Sequence, residues 1–138
     1  ATSPVSSVIG ALRGLLREPC GCFEQAASST YPNVVVARLL RAAYPELAPA
    51  TGTADVPADV RALYADAVAR MSRGYEKLLR YETANPGAFE WFGELPAHES
   101  LTAYGLMLFT DMAAVTNGTV SPDLVNRTAR WLVSRRDR

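Results

Sequence analysis

Val5, Val8, Ile9, Leu12, Leu15 and Leu16 recur at intervals of three and four, the spacing of one apolar stripe on a helix. Ser3-Pro4 ahead of them is a suitable helix start. Pro19 and Gly21 interrupt the pattern. The run "PNVVVARLLRAAY" then reads two ways: its three valines suit a strand, whereas Ala37, Leu39, Leu40, Ala42 and Ala43 suit a buried helix. Its length from Pro32 to Tyr44 favours the helix. Residues 45–57 form a Pro/Ala/Thr-rich connection. The longest stripe follows, in Val60, Leu63, Tyr64, Ala67, Val68, Met71, Tyr75, Leu78 and Leu79. "TANPGAFEWFGELPAHES" reads as a turn-rich loop carrying Phe89, Trp91 and Phe92. Leu101, Tyr104, Leu108, Met112 and Val115 mark a further helix that ends near Asn117-Gly118. Ser121-Pro122-Asp123 starts the last one, with Leu124, Thr128, Trp131 and Leu132 inward and a basic end suited to a helix C-terminus.

No segment alternates cleanly, so the expectation is an all-α fold of five to six helices, paired as hairpins without a repeat of fixed period. The runs Val34–Val36 and Leu106–Phe109 are apolar on nearly every face, which predicts burial on two sides, as in the inner layer of a double-layered array.

At 138 residues the chain is one domain's worth, long enough to bury a core. Fourteen basic and fourteen acidic residues cancel and are scattered, which argues against nucleic acid or a charged membrane surface as the partner. No apolar run approaches the roughly 20 residues that span a bilayer. Ala1 to Pro4 lack the basic and apolar regions of a signal peptide, and the opening without Met leaves room for a segment upstream. Two cysteines, Cys20 and Cys22, are too few for a disulfide scaffold, and a bridge between them would close a strained ring. His98 is the single histidine, so no four-ligand Cys/His zinc site can be completed, and neither a metal nor a cofactor is expected.

The chemistry-bearing residues cluster in "REPCGCFEQAASSTYPN". The plainest account of its cysteines is structural, since a Cys among small residues commonly acts as a minor hydrophobe. A catalytic thiol would need a base, and His98 lies far along the chain. A third account rests on the interval of three between Cys22 and Gln25, which sets their side chains together in the first turn of a helix. A thiol beside a carboxamide can expel ammonia and form an internal thioester, provided the site holds near-attack geometry and excludes water. A helix N-terminus favours both a thiolate and a developing oxyanion. Phe23, Phe89, Trp91 and Phe92 are the candidate shield.

"GCFEQ" followed by "SSTYPNVVVARLL" resembles the thioester motif of the alpha-2-macroglobulin and complement family. Gly21, Cys22, Glu24, Gln25 and Pro32 stand at the signature places, and Phe23 in place of Gly resembles the bacterial branch. "LRGLLREP", "MSRGYEKLLRYETANPGAFEWF", "LTAYGLMLFTDM" and "WLVSRRD" are similar, in order, to further blocks of these domains. Cys20 has no counterpart in the signature, and His98 does not match the histidine that some complement members use.

The resemblance implies an α/α toroid, of which residues 1–138 would be the N-terminal half, excised from a large multidomain protein. It implies a Cys22–Gln25 thioester, with Glu24 as a motif residue whose part, acid/base or helix-start charge, stays open. After proteolytic activation a Lys amine or a hydroxyl of the target would attack Gln25. The module would then be a single-turnover cross-linker in a macroglobulin-like protease inhibitor, not an enzyme. The partners implied are target proteases and other domains of the parent chain. The location implied is extracellular, periplasmic or in the cell envelope. Half a ring would leave an apolar face open, so self-association is expected. The competing expectation is a thioester-inactive helical scaffold for protein contact. A cysteine hydrolase or transglutaminase-like enzyme lacks a placed His.

Overall fold

A computed structural model describes residues 4–48 and 55–136, with side chains from residue 7 onward. Five α-helices follow one another: α1 (Pro4–Leu15), α2 (Phe23–Ala43), α3 (Ala58–Leu79), α4 (Glu99–Val115) and α5 (Pro122–Arg136). A 3-10 turn, Pro45–Leu47, follows α2. Among the described residues the single extended pairing is an isolated bridge between Glu82 and Phe89. The expected all-α class holds, and the packed helix pairs make an α/α-toroid-like arrangement. Ser3, the side chain of Val5 and residues 49–54 of the expected connection lie outside the described residues.

One boundary needs correction. The expected helix from Pro32 is the second half of a longer one, because α2 begins at Phe23 and passes through Pro32 without a break. Proline removes one backbone donor from the ladder and lowers the propensity of that turn. Packing outweighs the loss: Ala26, Ala27, Thr30, Asn33, Val34, Ala37 and Leu40 are buried along this helix. It is the central element, in contact with α1, α3, α4 and the 3-10 turn.

The valine run divides where burial on every face was expected. Val34 and Val36 are fully buried, while Val35 turns outward at 39% exposure. In α4, Leu108 and Phe109 are buried and Met107 faces out. The stripe of α1 also divides, with Ile9 buried, as is Leu16 just past the helix, and Val8 and Leu15 exposed. In α5, Leu124 and Thr128 are buried and Trp131 and Leu132 are half-buried.

Beneath the start of α2 lies an aromatic core. Phe23 and Phe89 have centroids 5.0 Å apart, Phe89 and Phe109 5.5 Å, and Tyr75 meets Phe109 edge-on at 5.8 Å. Phe23 reaches this core because α4 carries Gly105 there; a Cβ at that position would stand 2.8 Å from Phe23 Cζ. The loop between α3 and α4 closes over the cluster and is tied to α5. Arg127 donates from Nε and Nη2 to the two Glu82 carboxylate oxygens at 2.7 and 2.8 Å, and Gly87 N–H also donates to Glu82. These bonds hold the Glu82 carboxyl below the usual carboxylate range, the Arg127 bonds contributing most.

Candidate functional site at the start of helix α2

After α1 the chain runs back alongside α2, held by two polar side chains of that helix. Arg17 N–H donates to Asn33 Oδ1 at 3.0 Å, and Asn33 Nδ2 donates to Arg17 O at 2.8 Å. Asn33 is fully buried, so this reciprocal pair fixes the segment at one point. Four residues nearer the start of α2, Ser29 Oγ accepts Cys20 N–H at 3.2 Å and donates to Gln25 O at 2.8 Å. Ser29 thereby links the approach to the first turn. Gly21 then takes φ +83°, a left-handed conformation that favours glycine, and delivers the chain to Cys22.

Cys22 is the N-cap of α2 and Gln25 is its third helical residue. The Gln25 side chain folds back, and its Oε1 accepts Cys22 N–H at 3.1 Å. That bond satisfies a donor which a helix start leaves without a partner in the helix. The carboxamide lies directly on Gly21: a Cβ there would stand 2.0 Å from Gln25 Oε1 and 2.8 Å from its Cδ. The glycine therefore does two things, turning the backbone and leaving the space that the carboxamide fills. Cys22 is half-buried; Glu24, Gln25 and Cys20 are exposed.

The α3–α4 loop clamps the same turn. Phe23 N–H donates to Trp91 O at 3.0 Å, Tyr81 Oη donates to Gly21 O at 2.9 Å, and Trp91 Nε1 donates to Glu24 Oε2 at 3.2 Å. Glu90 ties the tip of this loop by accepting from Phe92 and Glu94 N–H, which holds its carboxyl below the ordinary range. His98 caps α4: its Nδ1 accepts Leu101 N–H at 3.1 Å, and its ring meets Trp91 at 4.5 Å between centroids. Its Nδ1 is thus engaged in capping α4.

The four aromatics expected as a shield do not form one. Phe23 and Phe89 are fully buried in the core beneath the motif, and Phe92 points away at 69% exposure. Only Trp91 stands beside the motif, against Glu24. The sequence puts Phe89, Trp91 and Phe92 within four residues, but a turn-rich loop sends neighbours in different directions, and apolar character alone does not say which.

The interval of three set Cys22 and Gln25 on one turn of a helix, and that turn is the start of α2, with Glu24 between them. Spacing missed Gly21 as a contact of the carboxamide, and Ser29, Asn33 and Tyr81 as supports. Ser29 and Asn33 lie four apart on one face of α2, a spacing that could have marked them as a pair. Tyr81 and Trp91 act across about sixty to seventy residues of chain, where no local pattern reports them. Among the described residues no three of His, Cys, Asp and Glu gather as metal ligands.

A family model described as the A-macroglobulin TED domain matches residues 2–138. No curated protein matches the chain.

Proposed function

Because this chain belongs to the A-macroglobulin TED domain family, we propose that it is the covalent trapping module of a bacterial macroglobulin-like protease inhibitor, acting through a Cys22–Gln25 thioester. The observation that carries this is the seat of the Gln25 carboxamide, folded back onto Gly21 and bonded to Cys22 N–H at 3.1 Å. A carboxamide held against the backbone of Cys22 makes its reaction with the thiol of that residue an intramolecular step.

In bond formation, Cys22 Sγ attacks Gln25 Cδ. The tetrahedral oxygen develops charge beside the N–H groups of the first turn, the C–N bond breaks, and ammonia leaves with the thiol proton. In trapping, an amine or hydroxyl of the target attacks Cδ. The C–S bond breaks, its electron pair stays on Cys22, and the thiolate takes up the proton. One amide or ester to the target forms per chain. The partners in this reading are target proteases and other domains of a parent chain. The residues 1–138 then form the N-terminal part of a larger thioester domain, and the location is extracellular, periplasmic or in the envelope.

Exposure of Gln25 favours a second reading, a thioester-inactive helical scaffold for protein contact, since water that reaches Cδ hydrolyses the bond. Intact mass separates the two. A formed thioester lowers the mass by one ammonia, and methylamine then releases one thiol while adding itself at Gln25. Mass equal to the plain sequence, with Cys22 alkylated at once in the absence of amine, would remove the thioester from this chain. In a parent protein, Cys22→Ala is expected to abolish cross-linking to the protease; unchanged cross-linking would sink the trapping proposal.

A further inference from the structure

On the Glu24–Ser28 face of α2, a cleft of about 260 Å3 is lined by these two residues with Trp91, His98, Ser100, Leu101 and Tyr104. Its chemistry is one-sided. No Lys or Arg lines it, and among the described residues Glu24 has no ion-pair partner. The carboxylate is aimed, because Trp91 Nε1–H holds Oε2 at 3.2 Å and leaves further lone pairs for a ligand. The walls are set before any ligand arrives: Trp91 is braced by the His98 ring at 4.5 Å, and Tyr104 packs edge-on against Tyr31 at 6.2 Å. An uncompensated carboxylate between an indole and a phenol suits an organic cation, which gains from the charge and from the rings together. The volume takes one guanidinium or alkylammonium group and no folded element.

We propose that this cleft holds a cationic side chain of the acceptor, a Lys or Arg flanking the amine that attacks Gln25. The inference rests on the thioester reading and adds to it a basis for choosing among acceptors: those with a second positive group near the attacking amine react faster. The cation is bound, not transformed. The attacking nitrogen still bonds to Gln25 Cδ as the C–S bond breaks and Cys22 recovers the proton.

Two measurements on this chain test it. The first compares thiol release by cadaverine with that by n-pentylamine, which has the same length and one ammonium fewer. After correction for its two amines, cadaverine is expected to react roughly three- to fivefold faster, and Glu24→Gln to bring the ratio to about one. A ratio within one preparation does not depend on how much protein is active. The second follows the Trp91 indole N–H resonance during cadaverine titration, with a saturable shift expected in the parent and none in Glu24→Gln. Thiol release with equal rates for both amines and no indole shift overturns the cleft and leaves the thioester reading standing. A saturable shift without any releasable thiol sinks the thioester reading and keeps the cleft as a cation site. Absence of both overturns both.

Discussion

Gly21 is where the two demands of the site meet. The residue needs φ +83°, and it needs no side chain, because the Gln25 carboxamide occupies the space of a Cβ. Alanine there costs about 1–2 kcal/mol for the left-handed backbone, and its methyl must displace the carboxamide. Gly21→Ala is therefore expected to lower the unfolding midpoint and to abolish methylamine-released thiol; retention of full thiol release would show that the seat on Gly21 is dispensable. A second residue-scale test concerns Tyr31, whose hydroxyl donates to the Asp111 carboxylate and whose acidity is pushed to about 12, chiefly by that bond. The folded value lies above the ordinary value near 10. The stabilisation is thus full below pH 10 and is lost as pH rises towards 12. Tyr31→Phe should cost about 1.5 kcal/mol near neutral pH, with the gap closing over that alkaline window in chemical denaturation.

At the scale of elements, the α3–α4 loop ties the start of α2 to α5, and the Glu82–Arg127 pair is its outer anchor. The folded Glu82 carboxyl lies below its unfolded value of about 4.3, so its contribution is present above that pH and disappears as pH falls through the folded value. Arg127→Ala should cost about 1.5–2 kcal/mol at pH 7, and the difference from the parent should shrink on acidification below about pH 4. A pH-independent difference would mean that lost packing, not the ion pair, sets the cost. The same loop explains how far the sequence could be read. The apolar stripes of α3 and α4 and the Cys22–Gln25 interval are local patterns, and each survives into the structure. The union of two apparent segments into α2 was hidden, because Pro32 and the polar "ASSTYPN" lower local propensity while the deciding term is burial of Ala26, Ala27, Thr30 and Asn33. The direction of each loop aromatic was hidden for a similar reason, since the core that selects Phe23 and Phe89 is assembled from three helices and the loop.

Across the whole molecule, α1 and the second half of α2 leave an apolar groove of about 420 Å3, lined by Val8, Ile9, Leu12, Leu39, Leu40, Ala43 and Tyr44, with no charged side chain. Leu39 is half exposed on its rim. The chain in isolation is expected to cover this face with a second copy. Sedimentation should give a concentration-dependent dimer that Leu39→Glu weakens; a parent that stays monomeric and binds no ANS would contradict the expectation. The site lies at the opposite end of α2, so association there does not of itself cover Gln25. The bond from Phe23 N–H to Trp91 O has a further consequence. First-turn amides of a helix normally exchange with water freely, having no partner within the helix. Phe23 N–H, set between the two residues of the proposed bond, is instead locked by a loop 68 positions away. Its deuterium uptake should therefore be slow and should accelerate with Arg127→Ala, while that of Glu24 stays fast. One amide would then serve as a clock for how often the loop lifts, and hence for how often water reaches the turn from that side.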